Sequence, residues 1–199
     1  ESHFSATLEA SNVSLAGLAA DAGIEPDGME GSLHTTIQLS GAPGEQESWR
    51  GGATAHLENA VLQPADLVTR IGDLLGIEEL RLLRLAKAQT RLSVASGRIF
   101  VEELELASEN IAMDAKGSSD FDGVLDLDAR LHLGESIRRG PAGLLGNQLI
   151  PSEDKPGYAH LPFRITGSLA RPGTDLLDKL VGARITKEVG GFLKGLFGK

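Results

Sequence analysis

Apolar and polar residues alternate with period two along most of the chain. Phe4, Ala6, Leu8 and Ala10 share one parity, with Ser5, Thr7 and Glu9 between them. Leu33, Thr35, Ile37 and Leu39 repeat the arrangement, as do Ala53, Ala55 and Leu57. Such alternation predicts strands with one apolar and one wet face. Leu92 and Val94 lead through Ser96-Gly97 into Ile99 and Val101, and Leu104 and Leu106 then fall on the other parity. That switch predicts a bulge or turn near Glu102-Glu103. Ile111, Met113 and Ala115 form a short run. The clearest strand spans Phe121 to Leu133, with Leu125, Leu127, Ala129, Leu131 and Leu133 on one face. At ~3.3 Å per residue it would be ~40 Å long, about twice the usual strand. A last strand carries Ala159, Leu161, Phe163, Ile165 and Leu169. Glycines at short intervals between these runs predict antiparallel strands joined by turns.

Helical spacing interrupts the alternation in three places. Leu67, Val68, Ile71, Leu74 and Leu75 follow Pro64 and stop at Gly76, which predicts an amphipathic helix. Leu15, Leu18, Ala19 and Ala22 predict a shorter one after Ser14. Segment 77–85 fits helix or strand equally, and 134–157 reads as a loop with a short helical piece. The tail differs from the rest: Leu176, Leu177, Leu180, Val181, Ile185 and Val189 step by three and four residues, and Gly190-Gly191 then bends or breaks the helix. From Arg171 onward six basic residues face only Asp175, Asp178 and Glu188, on an otherwise acidic chain. The expected architecture is therefore mainly β with helices (α+β). A long antiparallel sheet region occupies 1–173 and a basic amphipathic helix 174–199, which would either pack on the sheet or meet a membrane surface or partner.

Composition narrows the chemistry. With 28 acidic and 19 basic residues and 4% aromatics, the chain lacks the charge and stacking surface of a nucleic-acid binder. The absence of cysteine removes disulfides, thiolate zinc sites and cysteine nucleophiles. No window reaches the ~20 apolar residues of a membrane-spanning helix. Starting at Glu1 with no basic-then-apolar leader, the chain reads as a mature form or a fragment. His3, His34, His56, His132 and His160 are scattered, and each is expected on the wet face of its strand. No nucleophile elbow, dinucleotide fingerprint or phosphate loop appears, so no catalytic residue, metal ligand or cofactor site is predicted. Asp120, Asp122, Asp126 and Asp128 share one parity. Side chains along one strand diverge, however, and Gly123 falls too early for a calcium loop, so a solvated face is favoured over an ion site.

The stretch Ala88–Val101, then Leu104-Glu105-Leu106 and the strand Gly123–Leu133, resembles the C-terminal region of the AsmA family, including its TamB-like and YhdP-like types. Leu161-Pro-Phe-Arg-Ile-Thr-Gly-Ser-Leu-Ala-Arg-Pro172 looks like the family's closing strand and is the sharpest part of the likeness. Leu8-Glu9, Leu15, Leu18 and Gly31 resemble its strand–helix–strand unit. The resemblance implies a long curled β-sheet (a taco-like groove with an apolar interior) in the periplasm of a diderm bacterium. It also implies an inner-membrane anchor in the full-length protein, absent from this chain, and a role in phospholipid transport and outer-membrane biogenesis. No catalytic residues come with it.

Under that resemblance Leu92, Val94, Ile99, Val101, Leu125, Leu127, Leu131, Leu133, Phe163 and Ile165 line a phospholipid groove. Lys187, Phe192, Leu193, Lys194, Leu196 and Phe197 of the tail contact a membrane surface or an outer-membrane protein. The competing expectation is a structural or assembly module of the cell envelope that docks an outer-membrane partner. In that case the apolar face is an ordinary core, filled by the chain's own Leu67–Leu75 helix.

Overall fold

The computed structural model describes residues 3–21, 23, 25–62, 66–140, 145, 148–169, 171–176 and 178–179. The alternating segments form β1 (Phe4–Ser14), β2 (Glu30–Ala42), β3 (Glu45–Leu62), β4 (Leu83–Leu85), β5 (Lys87–Ala95) and β6 (Arg98–Ala107). They continue as β7 (Ile111–Asp120), β8 (Val124–Leu133), β9 (Ile150–Pro151), β10 (Ala159–Ser168) and β11 (Arg171–Thr174). All join one antiparallel sheet in the order β1-β2-β3-β5-β6-β7-β8-β10-β11, with β4 paired to the end of β3 and β9 to the end of β10. Helices α1 (Leu15–Asp21), α2 (Asp66–Leu75) and α3 (Glu135–Arg139) and a 3-10 turn at Glu78–Leu80 interrupt the strands.

Local chemistry explains the tight connections. Ser96 and Gly97 both have positive φ, 50° and 71°, as a two-residue hairpin with the right strand twist requires. Between β2 and β3 the turn is Pro43-Gly44, with proline fixing the first φ and Gly44 supplying the positive one. The parity switch on β6 is a bulge. Arg91 pairs with Glu103 and Leu92 with Val101, which leaves Glu102 as the extra residue and returns Leu104 and Leu106 to the face of Ile99 and Val101.

Some expectations are corrected. The strand predicted from Phe121 begins at Val124, because Phe121 and Asp122 form the turn out of β7. Asp120 and Asp122 therefore do not share a strand with Asp126 and Asp128. The ambiguous 77–85 segment divides into the 3-10 turn and β4. Thr174, expected to open the tail helix, is the last residue of β11 and pairs with Ile165. Leu176, just beyond it, is buried in the core. The tail residues Lys187, Phe192, Leu193, Lys194, Leu196 and Phe197 lie outside the described residues, as do Leu177, Leu180, Val181, Ile185 and Val189.

The sheet curls toward its apolar side. Trp49 of β3 meets Phe121, after β7, edge-on with ring centroids 5.3 Å apart. Three strand steps separate β3 from β7, which in a flat sheet would hold them about 14 Å apart at ~4.8 Å per step. Phe4 of β1 adds a second edge-on contact to Trp49 at 5.8 Å. The core sits at the opposite end of the same face. There Ile71 of α2, with Ile77 and Leu80, packs on Ile111, Leu131, Leu133, Leu161 and Phe163. No helix among the described residues is long and apolar enough to cross a membrane.

Candidate functional site: the apolar inner face

Strand register turns separate alternations into one continuous surface. Leu8 pairs with Ile37, Ile37 with Ala53, Ala53 with Leu92, and Leu92 with Val101. The row continues through Gly117 and Leu127 to Ile165. A parallel row runs Leu39, Gly51, Val94, Ile99, Ser119, Leu125. The β6 bulge matters here, since without it half of that strand would turn its leucines to solvent.

All ten residues predicted to line a groove lie on this face, yet they do not share one environment. Leu92, Val94, Ile99, Val101 and Leu125 are half-buried, on the stretch of the face away from α2. Leu127 is buried. Leu131, Leu133 and Phe163 belong instead to the core beneath α2, the 3-10 turn, Leu145 and Leu176, and Ile165 packs against its edge. Their placement in an open groove is therefore corrected: the amphipathic helix covers that end. The cavity left beneath it is about 100 Å³, lined by Val68, Ile71, Leu106 and Met113 among others. That is below the roughly 300–1,000 Å³ of a small-molecule site. The uncovered stretch, not the cavity, is the candidate binding surface.

The outer face is polar and densely paired. Glu105 accepts hydrogen bonds from Lys87 at 2.6 Å and Lys155 at 2.7 Å. These bonds hold its carboxyl below the usual carboxylate range. Arg130 joins Asp114 and Asp154 at 2.9 and 3.0 Å. Asp126 and Asp128, read as solvated charges, both face Arg164 across the β8–β10 pair.

Two histidine placements escaped the sequence reading. His132 is fully buried rather than on a wet face, because segment 149–158 folds over the outer face at that end. Its Nδ1 lies 2.9 Å from Ser152 Oγ and its Nε2 contacts Asp114. His160 stands 3.2 Å from the same hydroxyl, and burial, with the charges of His132 and Arg130, lowers its pKa. His34 and His56, on different strands, stack face to face. Nothing in one strand's alternation reveals such pairs, since they depend on register between strands.

No protein-family model, curated protein or solved structure matches the chain.

Proposed function

We propose that this chain is part of a periplasmic, AsmA-like envelope protein whose inner face forms a groove for phospholipid passage between the inner and outer membranes. One observation carries the reading. An apolar row runs in register from Leu8 to Ile165 on the inside of a curled sheet, and its central side chains stay half-exposed. Each buried methylene of an acyl chain gains ~0.8 kcal/mol, and the gain has no direction, so a lipid held this way slides rather than locks. The ion-paired outer face keeps the other side of the sheet wet. The role has no reaction step and uses no cofactor. In the full-length protein an inner-membrane anchor completes the arrangement, and the basic tail meets a membrane surface or an outer-membrane protein.

A second reading is a bracing or assembly module that docks an outer-membrane partner. The covered end favours it, because Leu131, Leu133 and Phe163 are filled by the chain's own helix as in an ordinary core. Site-specific photo-crosslinking in cells separates the two, with the probe at Val94 on the inner face and at Ser93 on the outer face. Phospholipid adducts at Val94 and none at Ser93 are expected of a conduit. A folded protein that captures no lipid at Val94 overturns the conduit and leaves the docking module.

A further inference from the structure

The outer face of β2 and β3 carries a cluster that the groove does not use. His34 and His56 are register partners, and their rings stack with centroids 4.7 Å apart and planes 6° from parallel. Glu58 lies two residues beyond His56, on the same face. Its Oε2 is 3.6 Å from His34 Nε2 and its Oε1 3.8 Å from His56 Nε2. Both separations are too long for hydrogen bonds. His34 Nε2 is nevertheless buried, with no hydrogen-bond partner among the described residues. A native fold rarely leaves a buried ring nitrogen in that condition, and a missing ion is one of the standing explanations.

The donor set fits such an ion. Two neutral imidazoles and one carboxylate, with a fourth position left to water, make a zinc-type site. Ligands held at ~2.0–2.1 Å around a tetrahedral ion lie about 3.4 Å from one another. Here one donor atom from each residue lies within 4.8 Å of the other two, close to that separation before any ion draws them in. Ser32, Thr36, Thr54 and Gln89 flank the three on this face, and the nearest cations on β5, Lys87 and Arg91, are each paired with a carboxylate of β6, Glu105 and Glu103.

The other group of this kind does not pass the same test. Asp114, His132 and Asp154 also gather. Arg130, however, pairs with both carboxylates, and both ring nitrogens of His132 have partners. A guanidinium already occupies both carboxylates of that cluster.

We propose that His34, His56 and Glu58 bind one divalent transition-metal ion of the zinc class, pinning β2 to β3 on the outer face. Calorimetric titration of the chain with zinc chloride near neutral pH, where free imidazole is largely neutral, tests this. The expected result is saturation at one ion per chain. His34→Ala and His56→Ala are each expected to weaken binding at least about tenfold, as loss of a ligand should. Asp114→Asn should leave it unchanged. Because His56 is the more exposed ring, with 55% of its side chain accessible against 23% for His34, His56→Gln keeps the test valid should the His34 variant fail to fold. Absence of saturable uptake, uptake that survives in folded His56→Gln, or uptake lost in Asp114→Asn would each overturn the site.

Discussion

Trp49 and Phe121 lie far apart along the sheet's strand order, yet their rings meet edge-on at 5.3 Å. The contact ties the β2–β3 end of the sheet to the β7–β8 turn and thereby fixes the curl. Trp49 is the single tryptophan of the chain, and its Nε1 donates to the Ala42 carbonyl at 3.0 Å, so its environment reports on that end alone. Phe121→Ala removes one edge-to-face partner and part of the apolar seal. We expect a red shift of tryptophan emission, easier quenching by a soluble quencher, and a loss of about 1–2 kcal/mol in chemical denaturation. Unchanged emission would mean that the curl is held elsewhere.

Gly117 occupies a place in the apolar row where a side chain would be expected. Its φ is +150°, and a Cβ built there would lie 2.2 Å from the Asp126 carbonyl oxygen on the neighbouring strand. Glycine within a strand commonly marks such a bend or close approach of backbones. Gly117→Ala must therefore push β7 and β8 apart. A loss of about 2–4 kcal/mol is expected, well beyond the cost of an ordinary strand substitution. Denaturant midpoints of the two proteins check it, and a difference under about 1 kcal/mol would show that the strands can separate locally without strain.

Much of the fold is visible in the order of residues, and the limits have a physical cause. Period-two runs name the strands because each must present one face to the core. The parity switch at Glu102-Glu103 announces its bulge, since only an extra residue keeps Leu104 and Leu106 inside. Leu176 shows where local pattern stops: its helical spacing gives no sign that it enters the core. The same holds for the burial of His132, which depends on segment 149–158 folding across the outer face. His34 and His56 meet only because β2 and β3 pair in one particular register. Within the candidate site, the alternation identifies which residues share the apolar face. It does not identify which of them α2 covers, because that depends on where the connection returns.

The division of the apolar face into a covered and an uncovered part has an energetic signature. Leu133 is fully buried and packed within the core beneath α2. Leu133→Ala leaves a cavity among close-packed neighbours and should cost about 2–5 kcal/mol. Val94 is half-buried on the uncovered stretch, so Val94→Ala should cost under about 1.5 kcal/mol. Equal costs at the two positions in urea denaturation would show that something also covers Val94, and would favour the docking module over the conduit.

The outer-face pairing of Glu105 fixes the direction of an acid response. Hydrogen bonds from Lys155 and Lys87 depress its folded-state pKa, so the folded protein binds this proton less readily than the unfolded chain. A depressed carboxyl contributes stability that is fully present above the unfolded value, about 4.3, and is lost as pH falls toward the folded value. Glu105→Gln should therefore destabilise the protein at neutral pH, by about 1–2 kcal/mol for a partly screened pair of charged hydrogen bonds. The gap between variant and parent should close as the pH is lowered through the carboxylate range. Denaturant midpoints collected across that range test both parts. A gap that stays constant with pH would mean that Glu105 acts through packing, and that its two lysines add nothing to the stability of the sheet.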